Sequence, residues 1–201
     1  MDRLQSVQAL AIRQVKEWGE IVTGFETRNR YSVSDPATGS EVYFAAEEAG
    51  SMLARILLKG LRPFHIAVLT PGGGPAFHIR RPFRFFFHEA AISGTDEGPL
   101  GTIVREFSVL RRIYTICDAD GSEVCRLFGP ILRPWTFKIE INGTEAGKIV
   151  KKWSGLLKEG FSDADNFAVE FPPQLPPKAR ALVLGAVFLI DFVHFENKGN
   201  G

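Results

Sequence analysis

The sequence predicts a mainly β protein: a closed antiparallel barrel of about twelve strands around a hydrophobic C-terminal helix, with an amphipathic helix at the N-terminus. Three observations predict it. Strand–turn–strand stretches recur from residue 24 to residue 171. A long apolar segment near the C-terminus has no polar face. Seventeen Phe, twenty Gly and twelve Pro suit strands joined by tight turns better than a helical bundle.

The composition narrows the class further. With 201 residues, 45% hydrophobic and 23% charged, the chain is neither a disordered protein nor a multi-span membrane protein. A formal net charge of +1 gives no global field, so no nucleic acid is expected and any charged site must be a local patch. Cys117 and Cys125 are too few for a disulfide scaffold and read as paired core thiols. No apolar stretch follows Met1-Asp2-Arg3, so the expected setting is intracellular.

Residues 2–19 are expected to be helical. Leu4, Val7, Ala11, Val15 and Trp18 recur three or four apart, Asp2 and Gln5 suit the first turn, and Gly19 suits the end. The apolar stripe would lie on the body of the protein. Four hairpins follow. Residues 31–33 and 41–46 flank Asp-Pro-Ala-Thr-Gly, and 65–69 and 76–80 flank Pro-Gly-Gly-Gly. Residues 113–117 and 123–127 flank Asp-Ala-Asp-Gly, and 136–141 and 146–151 flank Asn142-Gly143, the strongest turn signal of the four. Further strands are expected at 83–90, 100–107 and 167–171, giving about eleven or twelve. The expected organisation is one domain over 1–201, with a terminal helix at 1–20, the barrel at 24–175 and the central helix at 178–196.

Residues 178–195 read KARALVLGAVFLIDFVHF. Pro176-Pro177 sets a firm start. The run 181–190 is unbroken apolar sequence of ten residues, short of the roughly 20 a bilayer span needs, and Asp191 interrupts it. A helix apolar on every side is either a membrane span or buried in a core, and these counts favour burial. A helix is about 10–12 Å across. Eight-stranded barrels are filled by their own side chains, whereas larger cans hold a helix. Leu182, Gly185, Phe188, Asp191 and Phe195 mark this buried helix. Gly185 would admit a barrel side chain to the helix backbone, and Asp191 is expected to be satisfied by Arg or by backbone donors.

Several stretches resemble the phospholipid scramblase family of the tubby-like superfamily. They are TGFETRNRYSV at 23–33, VYFAAEE at 42–48, RPF at 62–64 and RRPFR at 80–84. Then come AGKIVKKWSGLLKEGFSDADNFAVEFP at 146–172 and LVLGAVFLIDFVHFE at 182–196. The resemblance covers nearly the whole chain. It implies a twelve-stranded barrel around a hydrophobic helix. It also implies calcium-responsive, non-selective movement of phospholipids between leaflets, at the cytoplasmic face of a membrane, by a peripheral or single-pass protein. The alternative is a soluble tubby-like module that binds phosphoinositide, anionic lipid or a protein partner without transport.

The resemblance carries a calcium segment onto Asp163 and Asp165, with Phe167, Val169 and Phe171 offering backbone oxygens. Carboxylate and carbonyl oxygens are the donors calcium takes. This chain departs from the family pattern at Ala168, where the family has Gly, and at Gln174, where it has an acid. Arg80, Arg81, Arg84, Lys148, Lys151 and Lys152 are the candidate head-group ligands, because Arg grips phosphate in a fork and Lys as a point charge. Phe83-Arg84-Phe85-Phe86-Phe87-His88 stands where the family carries palmitoylated cysteines, so acylation there is not expected. The four His are scattered along the chain with no metal-ligand spacing, and no nucleophile elbow or phosphate loop occurs. No catalytic constellation is seen, and the resemblance implies lipid translocation or binding rather than chemical catalysis.

Overall fold

A computed structural model describes residues 2–15, 30–48, 63–83, 89–96, 98–109, 111–151 and 167–195. A 3₁₀ turn at Asp2–Leu4 leads into β1 (Ala9–Val15), β2 (Arg30–Ser34), β3 (Glu41–Glu47), β4 (Phe64–Leu69), β5 (Pro75–Arg81) and β6 (Glu89–Gly94). Next come β7 (Pro99–Glu106), β8 (Arg111–Asp118), β9 (Glu123–Pro130), β10 (Thr136–Ile141), β11 (Thr144–Lys151) and β12 (Phe167–Glu170). Helix α1 (Pro177–His194) is last. Every strand pairs antiparallel with its sequence neighbours, and β1 pairs with β12 to close the ring. The expected closed barrel with a central helix is present.

The expected N-terminal helix is not. Ala9–Val15 is strand, and within it Leu10 and Ile12 are fully buried while Val15 is only half-buried. Leu4, Val7 and Ala11 are buried as well, but the run Leu10-Ala11-Ile12 is held by strand pairing and not by helical spacing. The reason is tertiary. Without β1, the inner edges of β2 and β12 would each carry an unpaired row of backbone groups. β1 supplies both, pairing Ile12 with Val33 on one side and with Phe167 on the other. This is the strand that brings the count to twelve.

Of the strand expected at 83–90, residues 84–88 lie outside the described residues, and β6 runs from Glu89 to Gly94. Pro82 follows β5 directly and cannot continue a ladder. The register of β6 is set by what fits the helix: Ala90 and Ile92 are buried inward, and a methyl group at Gly185 would lie 3.1 Å from Ile92 Cγ1. Gly185 thus permits the expected close approach.

Helix α1 is buried from Ala179 through Ile190 and again at Phe192. It fills the lumen. Aromatic rings reach it from the wall: Tyr31 meets Phe188 edge-on at 5.1 Å, and Phe64 stacks on Phe192 at 4.4 Å. Its N-terminal half is locked to the start of the chain by Arg180, only 3% exposed. The guanidinium donates to the carbonyls of Leu4 (2.9 Å), Val7 (2.6 Å), Leu175 (2.8 Å) and Pro173 (3.1 Å). Burial pulls its pKa below the usual Arg value.

In an up-and-down barrel, successive connections alternate between the two ends. The connections β2–β3, β4–β5, β6–β7, β8–β9 and β10–β11 share the end where α1 begins. These are tight hairpins. Asn142 (φ 52°) and Gly143 (φ 76°) both take the left-handed backbone that a type I′ turn requires. Each of the five hairpins carries a register shift beside it, for example between Ile139 and Glu140. Such bulges raise local twist at a barrel rim.

Candidate functional site

The opposite end, where α1 finishes, carries the connections β5–β6, β7–β8 and β9–β10 and is chemically different. Among the described residues, the exposed large hydrophobics are Phe83, Phe107, Val109, Ile131 and Leu132, and all five lie in these three connections. Leu132 is 95% exposed and Phe107 86%. An exposed apolar group rimmed by charge marks an interaction surface.

The tip at Ile131-Leu132 is held firmly. Arg112 on β8 donates to the carbonyls of Pro134 (2.6 Å), Pro130 (3.3 Å) and Arg133 (3.3 Å), and its guanidinium lies 4.5 Å from the Phe137 ring centre. Partial burial lowers its pKa from the usual Arg value. The Arg133 amide bonds back to the Pro130 carbonyl at 3.2 Å. The two apolar side chains are therefore presented by a preformed turn. Arg111 and Arg133 are exposed beside it. Trp135 then stacks on Phe195 at 5.3 Å, tying the turn to the end of α1. His194 Nε2 and the Tyr114 hydroxyl meet at 2.8 Å, and burial raises the Tyr114 pKa well above its ordinary value.

Asp191 sits at this end. It accepts from Lys151 Nζ at 2.8 Å and from the Tyr31 hydroxyl at 3.1 Å. The expectation of Arg or backbone donors is corrected: the charge is met by a lysine from β11. That lysine also lies 4.3 Å from the Phe195 ring centre and 4.9 Å from that of Phe167. The helix residues Leu182, Gly185, Phe188 and Phe195 are buried as read from the sequence.

Among the described residues, the candidate basic residues do not converge. Arg80 is exposed on the outside of β5, whereas Arg81 points inward at 1% exposure, 5.8 Å from the Phe64 ring centre. Lys148 on β11 is paired with Glu170 at 3.1 Å. β5 and β11 are six places apart in a ring of twelve, on opposite walls. Arg84 and Lys152 lie outside the described residues, as do Asp163 and Asp165. Phe167 and Val169 lie in β12, each paired with both β11 and β1. Phe171 is buried, and its amide donates to the Gln8 carbonyl. A strand flanked on both sides commits its backbone groups to the ladders.

The sequence reading missed the apolar tips. A signal was available: Ile131-Leu132 sits between Pro130 and Pro134, where turn chemistry favours polar residues. The two cysteines are free, and burial pushes the Cys125 thiol up to about 12. No described helix is long and apolar enough to cross a membrane, which says nothing about crossing by strands.

Comparison with known proteins shows the family. The family model described as Scramblase matches residues 1–197. The chain is similar to phospholipid scramblase 1 of Rattus norvegicus, at 31% identity over 100% of this chain and 63% of that protein. It is similar to phospholipid scramblase 1 of Mus musculus, at 32% over 100% of this chain and 65% of that protein. Phospholipid scramblase 2 of Bos taurus is 32% identical over 98% of this chain and 71% of its own length. The chain therefore spans about two thirds of the length of these relatives. No solved structure matches it. With the family model matched from the first residue through the end of the central helix, the chain belongs to the Scramblase family.

Proposed function

We propose that this protein docks on a phospholipid membrane through the end of the barrel where α1 finishes, and there takes part in the phospholipid movement for which its relatives are named. The observation that carries the reading is the confinement of Phe83, Phe107, Val109, Ile131 and Leu132 to that one end. Burying a Val, Leu, Ile or Phe side chain is worth about 1.5–3 kcal/mol. Arg111 and Arg133 each add about 1 kcal/mol near an anionic leaflet. Several such tips together hold a peripheral protein on a bilayer with no spanning helix. The activity is lipid translocation or binding, with no chemical step.

A second reading is favoured by the filled lumen. Lipid does not pass through a barrel occupied by α1, so the protein binds anionic lipid, phosphoinositide included, without moving it. One experiment separates the two. The purified chain is tested for co-flotation with vesicles of phosphatidylcholine and phosphatidylserine, then for transbilayer exchange of a fluorescent phospholipid in the same vesicles. Flotation with exchange supports translocation, and flotation alone supports the binding module. Failure to float, or flotation unchanged by Ile131→Ser with Leu132→Ser, removes the docking mechanism. Repeating both assays with calcium, and with Asp163→Asn and Asp165→Asn, tests those carboxylates as calcium donors. Loss of a calcium effect in the variants assigns it to them.

A further inference from the structure

Two of the four scattered histidines are brought together by the sheet. Glu48 follows β3 directly, and its amide donates to the His65 carbonyl at 2.9 Å. On the adjoining ladder, His65 stands opposite Arg80, and His78 stands opposite Ala67. His65 and His78 are thus diagonal neighbours on the outer face of β4 and β5, with ring centres 5.4 Å apart. Such diagonals are within reach of long side chains. One donor atom from each of Glu48, His65 and His78 lies within 4.8 Å of the others.

We propose that Glu48, His65 and His78 form a site for one divalent transition-metal ion of the zinc class, with a coordination position left open toward solvent. Two imidazoles and one carboxylate are a zinc donor set, with bonds of about 2.0–2.2 Å. Calcium takes oxygen ligands and is disfavoured by two nitrogens in three. His65 Nδ1 already meets Glu48 Oε2 at 2.6 Å, so carboxylate and imidazole are pre-aimed at each other. The second nitrogen, His65 Nε2, is buried with no hydrogen-bond partner. The Glu48 side chain is 41% exposed, free to rotate onto an ion without disturbing the core. The two histidines also line a wall cavity of about 340 Å³, together with Arg80, Ser93, Thr102 and Asp118. An ion held at its edge offers its open position to water or an oxygen donor in that cavity.

Glu48 and His65 lie toward the end where α1 finishes, but the test of the site needs no lipid. Zn²⁺ is titrated calorimetrically into the untagged, chelator-stripped full chain carrying Cys117→Ser, so that the more accessible thiol does not compete. One ion per chain is expected. His65→Asn and His78→Asn each weaken binding by at least about 10-fold, whereas His88→Asn and millimolar Ca²⁺ leave it unchanged. Urea unfolding of each variant checks that it folds. Co²⁺ on the same Cys117→Ser chain gives a second readout that needs no histidine variant: visible absorption of a four-coordinate nitrogen and oxygen site, without a thiolate charge-transfer band. Absence of that absorption overturns the proposal. So does a folded His65→Asn, His78→Asn double variant that binds Zn²⁺ as tightly as its parent.

Discussion

At one end of the barrel the chain turns on Asn142-Gly143 and on Asp118-Ala119-Asp120-Gly121. At the other it turns on Ile131-Leu132, with Phe107 and Val109 on the neighbouring connection. The first end is closed by polar hairpins, bulges and the buried Arg180 clamp on the start of the chain. The second exposes apolar side chains on a turn that Arg112 holds in shape. Both ends cap the same helix. The difference teaches that fold-closing contacts and exposed apolar surface are set at opposite ends of the barrel, as the proposed docking requires. One end spends its polar groups on closing the fold, and the other spends them on holding apolar tips in water.

The comparison can be broken by exchanging the effects of the two ends. Arg180→Met should have the largest consequence, a loss of about 3–5 kcal/mol in urea unfolding, because it strands several buried carbonyls. The fraction that remains folded should float with anionic vesicles as the parent does. Ile131→Ser with Leu132→Ser should do the reverse. Vesicle partitioning should fall by about 3 kcal/mol, roughly 100-fold, while the urea midpoint stays within about 0.5 kcal/mol of the parent. If the two variants affect the same observable, the division between ends is wrong.

Smaller changes sharpen it. Asp191→Asn removes the charge opposite Lys151, a pair with side chains 13% and 19% exposed, and should cost about 1.5–3 kcal/mol by thermal unfolding. It would show that the docking end also contains a stability element under its apolar tips. Gly185→Ala places a methyl group against Ile92 and Ile103 midway along the helix. Overpacking of about 1–3 kcal/mol should exceed the helix-propensity gain of about 1 kcal/mol, leaving a modest net loss. The smallest effect concerns Cys125, near the tight-turn end. Its thiol is raised from 9.0 to about 12 by burial, so the folded state keeps a proton that the unfolded chain releases. Its contribution is complete below pH 9 and is lost as pH rises toward 12. Cys125→Ala should flatten that part of the pH–stability curve.

Much of this architecture was legible in local sequence. The turn residues placed the hairpins, because left-handed backbone admits few residues other than Gly and Asn. The apolar run at 181–190 required a surround on every side, and only a large barrel provides one. The misreading of the N-terminus has a tertiary cause. Ala9–Val15 is a short apolar stretch whose period does not separate helix from strand, and pairing with strands at both ends of the chain decided it. His65, His78 and Glu48 had no sequence spacing to connect them, because sheet register, not chain distance, makes them neighbours.

The sequence by itself determined that the strands form a barrel and that its helix is buried, since turn chemistry and hydrophobic continuity are local properties. It also determined family membership, through residues along nearly the whole chain. Tertiary structure alone decided that β1 closes the ring and that Asp191 is met by Lys151. It alone decided that the exposed apolar residues gather at one end. Each of those outcomes depends on which segments lie side by side, and a closed antiparallel ring around a helix juxtaposes residues that are 22 and 160 positions apart in the chain.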